Sequence, residues 1–340
     1  MKWRLASFCP LKQTIVIAHT CLYQRRIENL LGKMITEGSG GRLSVKVFGA
    51  NEIVPAFEAL DAVSNGTVEM GHGAPYYWKG KVAATQFLAS VPFGMTAQEV
   101  NAWYQWGNGQ KLADNIYKQM GAKFFPSGNT GVQMGGWFNK EINSADDLKG
   151  LKMRIPGLGG DVMAKLGASP VSLPGGQIYE NLVSGAIEAT EWVGPWNDYA
   201  MKFYEAAKYY YFPGMHEPGG YNAFGFNKSW WESLSRTDQM IIEACGAQAN
   251  DLAMSEYNAN NGAFLQKLVN EHGVVVKEFN DDVYDAFGKG AEEVFAETVA
   301  HSDLARRVHE SFVAARTAVG GWMKLSEGGY YAQRNRVLGL

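Results

Sequence analysis

One pattern occurs twice in this chain and limits the folds open to it. In the first half a helical stretch over residues 56–64 stops at Asn65-Gly66, and Thr67-Val68-Glu69-Met70-Gly71 then reads as a short strand. In the second half residues 177–183 are helical, stop at Ser184-Gly185, and Ala186-Ile187-Glu188-Ala189-Thr190-Glu191-Trp192 reads as the next strand. A glycine just past the last turn takes the left-handed conformation that ends a helix. Extended segments precede each copy: residues 43–48 in the first, Met153-Arg154-Ile155-Pro156 and Pro170-Val171-Ser172-Leu173-Pro174 in the second. Asn-Gly and Ser-Gly are also common helix stops in unrelated folds. Read as a repeat, they predict two similar α/β lobes, with a ligand at the carboxyl ends of the strands.

Length agrees with two lobes, since 340 residues is about two domains at roughly 150 residues each. Residues 121–136 and the Tyr-, Gly- and Pro-rich residues 209–227 are the two candidate crossings, which together would form a hinge. From residue 228 onward the pattern is helical, over 237–263 and as a pair over 281–319, while 321–340 is poorly patterned. The expected division is 1–125 plus 215–255 for lobe I, 126–214 plus 256–320 for lobe II, and 321–340 as a C-terminal tail. A hydrophobic fraction of 46% with 19% charged residues is that of a packed globular chain. The balance of 31 Lys and Arg against 34 Asp and Glu leaves −3, with no basic excess to condense on phosphates, which argues against a nucleic-acid partner. No apolar run reaches the roughly 18 residues of a membrane span. Three cysteines, Cys9, Cys21 and Cys245, make neither a disulfide framework nor a zinc ribbon. Residues 1–5 carry two positive charges, but Pro10 and Lys12-Gln13 interrupt what would be the apolar core of a signal peptide.

Catalytic motifs are scarce. The six histidines, His19, His72, His216, His272, His301 and His309, form no metal-binding pair at helical spacing, and His301 and His309 read as solvated. No nucleophile elbow or phosphate loop occurs. Gly157-Leu158-Gly159-Gly160-Asp161-Val162 follows a strand and opens a helix, yet Val162 replaces the last glycine of a dinucleotide fingerprint. Arg154 ends a strand just before that turn. A guanidinium there is either a structural ion pair or an anchor for a carboxylate, which its planar fork matches. Gln133, Glu191 and Glu217 are hard oxygen donors on irregular segments and suit sodium or calcium better than zinc or copper. Aromatics beside Gly and Pro, in Pro75-Tyr76-Tyr77-Trp78, Gly136-Trp137-Phe138 and Trp192-Val193-Gly194-Pro195-Trp196, are candidate pocket lining.

Several runs resemble the substrate-binding proteins of tripartite ATP-independent periplasmic (TRAP) transporters, the DctP-like family, over nearly the whole chain. They are Gly41-Arg42-Leu43, Glu52-Ile53-Val54-Pro55, residues 60–72, Val91-Pro92-Phe93-Gly94, Asp147-Leu148-Lys149-Gly150-Leu151-Lys152-Met153-Arg154 and Glu191-Trp192-Val193-Gly194-Pro195. The last resembles the branch that binds 2-oxo acids such as pyruvate, or its lactate-binding relatives. The resemblance implies a two-lobe periplasmic binding protein, type II-like, with hinge-connected domains and a ligand cleft between them. It implies a periplasmic location, a signal peptide already removed, a membrane transporter as partner, no enzymatic turnover, and room for a homodimer through a C-terminal helix. Arg154 would pair with the substrate carboxylate, and Tyr77, with Tyr76 as alternative, would hydrogen-bond the substrate. Gln133, Glu191, Trp192 through its carbonyl, and Glu217 would bind a cation that also touches the substrate. Trp78 stands where a smaller aromatic is usual, and the segment around Cys9 to Cys21 departs from the branch.

A 2-oxo or 2-hydroxy acid can chelate one cation through a carboxylate oxygen and its neighbour while Arg154 takes the other edge. With both glutamates ionised, Arg154 at +1 against Glu191, Glu217 and substrate at −3 leaves −2. Calcium balances that charge; sodium, which the 2-oxo-acid resemblance favours, leaves −1. Lactate or another 2-hydroxy acid held with calcium is the alternative ligand. An enzyme using Glu217 and His216 as an acid–base pair is the competing reading.

Overall fold

The computed structural model describes residues 13–19 and 25–339. Cys9, Cys21 and residues 1–5, singled out above, lie outside the described residues. The chain builds a first sheet from β1 (Gln13–His19), β2 (Leu43–Phe48), β3 (Met70–Gly73) and β4 (Ala122–Asn129), with helices α1 (Arg25–Gly38), α2 (Ala59–Ser64), α3 (Ala97–Trp106) and α4 (Gly109–Gln119) between them. It then crosses to a second sheet containing β5 (Gly136–Phe138), β6 (Lys152–Arg154), β7 (Ser169–Val171), β8 (Ala189–Thr190) and β9 (Tyr209–Phe212), interleaved with α5 (Gly157–Lys165), α6 (Gly175–Val183) and α7 (Pro195–Ala200). It returns as β10 (Tyr221–Asn227) in the first sheet, continues through α8 (Lys228–Ser233) and α9 (Arg236–His272), and adds β11 (Val275–Glu278) to the second. The sheet orders are β2-β1-β3-β10-β4 and β11-β9-β5-β8-β6-β7. This is the two-lobe α/β architecture expected from the repeat.

The repeat has a physical basis. Gly66 and Gly185 both adopt positive φ, 77° and 75°. In the first copy Gly66 N donates to Val63 O (3.1 Å) and Val68 N to Ala62 O (3.2 Å); in the second Gly185 N donates to Leu182 O and Ile187 N to Asn181 O, both at 3.1 Å. The same six-residue closure therefore ends α2 and α6, and it buries Val68 and Ile187. It also consumes the first residues of both expected strands. That is why β3 starts at Met70 rather than at Thr67, and why β8 is only Ala189–Thr190.

The two crossings fall at 130–135 and 213–220, inside the stretches expected to make them, and they are bonded together: Gln133 N donates to Glu217 O (3.0 Å), Thr130 N to Gly220 O (3.0 Å) and Gly214 N to Gln133 O (2.9 Å). A third connection is α9, capped by Ser235, whose hydroxyl accepts from Asp238 N at 3.1 Å, and ended by Gly273 at φ 64°. It packs on β4 and α1 at one end and on α7 at the other. The boundary expected at 255/256 thus falls inside one unbroken helix, and that at 125/126 falls inside β4.

Helix α10 (Asp281–Ala300) packs on α5 beside the second sheet. Helix α11 (Asp303–Met323), grouped above with lobe II, packs on α3 and α4 beside the first sheet. There Trp103 donates to Ser311 Oγ (3.1 Å) and meets Phe312 edge-on (5.4 Å). Residues 321–340 differ from expectation. One π turn at Lys324–Gly328 leads into α12 (Gly329–Leu338), so the helix runs on through the glycines and leaves Trp322, Leu325, Tyr330, Val337 and Leu338 exposed. His309 is not solvated but half-buried between Phe87 and Phe295, each 5.2 Å away, because it lies on the face of α11 turned toward α10.

An alanine at Gly185 meets no atom within 4 Å, so its cost is backbone strain alone. Gly185→Ala is expected to destabilise the fold by about 1–2 kcal/mol in urea unfolding, the price of a side chain in the left-handed region, with Gly185→Asn closer to wild type.

Candidate functional site

Parallel pairing of β6 with β8 places Arg154 opposite Thr190, and so brings the next residue, Glu191, beside the guanidinium. Both side chains are only 1% exposed. Arg154 Nη1 forms a short ion pair with Glu191 Oε1 and also donates to the Glu191 carbonyl at 3.1 Å. Arg154 Nε donates to Leu173 O (3.2 Å), and Nη2 reaches across the cleft to Tyr77 OH at 3.3 Å. The guanidinium lies 5.0 Å from the Trp192 ring centroid. Of the two readings left open for this arginine, the ion pair is made, while the side chain also faces a cavity.

That cavity, about 40 Å³, is lined by Arg154, Tyr76, Tyr77, Gln133, Trp192 and Glu217, all named from the sequence. At 10–15 Å³ per water it has room on the scale of a few waters, hence for a very small ligand. Glu191 stands behind Arg154, with its second oxygen 3.2 Å from His216 Nε2. Adjacent in sequence, His216 and Glu217 thus serve different neighbours: His216 faces Glu191, whereas Glu217 faces Gln133 and Tyr76. Trp78 does not line this cavity; it is buried in the core and donates to Phe57 O at 3.2 Å.

Of the expected oxygen donors, Gln133 and Glu217 line the cavity together, whereas Glu191 does not, its two oxygens being taken by Arg154 and His216. Gln133 Nε2 is committed to Glu217 Oε2 (2.6 Å) and Thr130 Oγ1 (3.0 Å), which leaves Gln133 Oε1 buried with no partner among the described residues. An orphaned buried carbonyl oxygen costs about 1–3 kcal/mol, and a bound cation would recover it. Burial and the nearby Glu191 carboxylate push Glu217 up to about 7, against Tyr76, which donates to it. Two buried acidic groups, a carboxamide and a backbone carbonyl fit sodium or calcium. Among the described residues no group of three or more His, Cys, Asp and Glu is placed to hold a metal, so such a site must draw on neutral oxygens as well.

Four contributors were not read from the sequence. Thr130 and Asn222 line the cavity. Gly220 allows the closest approach: a Cβ there would sit 2.6 Å from Glu217 Oε2 and collide with Thr130 and Gln133. Asp198, buried in the first turns of α7, accepts from Trp137 Nε1 (2.9 Å), Tyr210 OH (2.7 Å), Val193 N (3.2 Å) and Gly194 N (3.1 Å). It pins the loop that carries Glu191 and Trp192 to β5 and β9. A carboxylate in the first turn of a helix was the available signal, though only the fold shows what it holds. Asp198→Asn turns an NH2 toward the Trp137 N–H, which can only donate. The variant is expected to lose about 1–3 kcal/mol in urea unfolding. Gly220→Ala, by contrast, is expected to fold and to lose ligand affinity at least tenfold by calorimetry.

The family described as bacterial extracellular solute-binding protein, family 7 (DctP) matches residues 17–302. The chain is 39% identical over 331 residues to the monocarboxylate 2-oxoacid-binding periplasmic protein of Nostoc sp., covering 97% of this chain and 88% of that one. It superposes with TM-score 0.94 and 31% identity on a TRAP transporter solute-binding protein from Bordetella bronchiseptica, described as a mixed-occupancy dimer with calcium and picolinate, over 96% of this chain and 98% of that one. A TRAP periplasmic solute-binding protein from Pseudoalteromonas atlantica, with bound sodium and pyruvate, matches at TM-score 0.91 and 39% identity over 94% and 99% of the two chains. With a family match over most of its length and close relatives over nearly all of it, the chain belongs to the DctP family of bacterial extracellular solute-binding proteins.

Proposed function

We propose that the protein captures a small 2-oxo monocarboxylate of the size of pyruvate together with one cation, and delivers it in the periplasm to the membrane subunits of a TRAP transporter. The observation that carries this reading is the meeting, in one small cavity, of the buried Arg154, an orphaned carboxamide oxygen and the buried Glu217, with Glu191 behind the arginine. In this reading Arg154 takes one edge of the carboxylate, and Tyr77, with Tyr76 beside it, hydrogen-bonds the substrate. Gln133, Glu191, the Trp192 carbonyl and Glu217 hold the cation, which takes the 2-oxo oxygen and the other carboxylate oxygen and so supplies the charge that lets the acid be buried. The relatives support both candidate ions, since sodium accompanies pyruvate in one and calcium accompanies picolinate in another. The chain acts as a receptor without turnover. No described helix is long and apolar enough to cross a membrane, so delivery calls for a partner in the membrane.

Titration calorimetry with pyruvate, lactate and a dicarboxylate, after chelation and then with sodium or calcium, tests the reading. Binding of a monocarboxylate that needs one of the ions is the expected result; no binding of any acid in either salt would refute it. Arg154→Ala should weaken binding at least tenfold, as expected when one partner of a buried charge pair is truncated. Protonation of Glu217 removes a ligand charge, so cation affinity should be steady above about pH 7 and fall as pH drops below it. Glu217→Gln should bind the cation weakly at every pH and lose that slope.

The dimer of the Bordetella relative supports a second proposal, that copies of this chain pair through the exposed apolar side chains of α11 and α12. Sedimentation velocity should give a dimer for the wild type and a monomer for Leu325→Lys/Val337→Lys; a wild-type monomer at micromolar concentration would refute it.

A further inference from the structure

A second cavity, about 20 Å³, borders the first at Asn222, which lines both. Its walls come from the end of β4, from β3 and from the inner face of α9. Two side chains on β4 are buried there without full satisfaction. Ser127, 0% exposed, has no hydrogen-bond partner for its hydroxyl among the described residues. Asn129, 1% exposed, accepts from Gly131 N at 2.8 Å through Oδ1, but its Nδ2 donates to no group among the described residues. Neither group serves the strand pairing, and each carries the cost of a buried polar atom left unmade.

We propose that this cavity is the distal part of the same binding site and takes a neutral hydroxyl on the tail of a 2-oxo monocarboxylate. The proposal rests on the reading of the first cavity given above and extends it to substrate class. The chemistry of the walls selects among tails. Among the described residues a second carboxylate finds no free cation: Arg26 is already paired with Glu256 at 2.8 Å with its side chain 78% exposed, and the buried His72 is paired with Glu28. A carboxylate buried without a partner is strongly disfavoured. An alkyl tail would leave Ser127 Oγ and Asn129 Nδ2 unsatisfied. A hydroxyl both accepts and donates, so it can accept from Asn129 Nδ2 and exchange a hydrogen bond with Ser127 Oγ. The volume agrees, because about 20 Å³ holds one or two water-sized groups and not a branched hydrocarbon.

The test is calorimetry at saturating sodium or calcium with two matched pairs: 4-hydroxy-2-oxobutanoate against 2-oxobutanoate, and 5-hydroxy-2-oxopentanoate against 2-oxopentanoate. The wild type should bind the hydroxylated member of at least one pair fivefold or more tighter. Ser127→Ala should abolish that preference and leave pyruvate affinity unchanged, since Ser127 borders only the second cavity. Equal binding within both pairs, or a preference that survives in Ser127→Ala, would overturn the proposal and leave the cavity to water alone, with pyruvate binding intact. Absence of pyruvate binding in the wild type would instead overturn the underlying reading, and this one with it.

Discussion

The buried pair of Arg154 and Glu191 is the interaction on which the site depends. Taking a guanidinium and a carboxylate out of water costs several kcal/mol per ion, and their attraction offsets this only if the remaining donors and acceptors are satisfied. The fold meets that condition through register: β6 and β8 are parallel neighbours, so the last residue of one faces the end of the other. The Glu191 and Leu173 carbonyls take further guanidinium donors, and His216 takes the far oxygen of Glu191. One guanidinium nitrogen is left pointing to the opposite lobe, at Tyr77. A charge that could not be buried alone is thereby held in the wall of the cavity.

The remaining polar groups come from the joint between the lobes. Gln133 lies on the first crossing and Glu217 on the second, and the two crossings are hydrogen-bonded to each other through these same residues. Whatever occupies the space between Gln133 Oε1 and Glu217 therefore touches both crossings as well as the second lobe. At the rim, Lys79 and Asp161 make a further pair across the cleft at 2.8 Å, but both are well exposed and contribute little.

Local features of the chain were legible from the sequence, and contacts between distant segments were not. The two helix stops, the strands at residues 43–48 and 152–154 and the crossings all follow from patterns a few residues long. The cavity-lining residues Arg154, Gln133, Trp192, Glu217, Tyr76 and Tyr77 were named in advance, the arginine from its place at a strand end and the tyrosines from resemblance. The residues missed have meanings that exist only across the fold. Asp198 matters because Trp137 and Tyr210 come to it from other strands, Thr130 and Gly220 because the crossings touch, and Asn222 because it lines both cavities. The tail misled in the opposite sense. Residues 321–340 read as poorly patterned, yet the helix passes through Gly320-Gly321 and Gly328-Gly329.

One continuous helix bears on how such a molecule moves. At 1.5 Å per residue the 37 residues of α9 make a rod of about 55 Å, anchored on β4 at one end and on α7 at the other. The two crossings are short irregular segments and can act as pivots, but a rod fixed at both ends cannot pivot. Any rotation of one sheet against the other must flex it or slide it along its bed. The helix is thus a leaf spring laid across the joint, and its stiffness sets both how far the jaws part and how hard they are pressed back together.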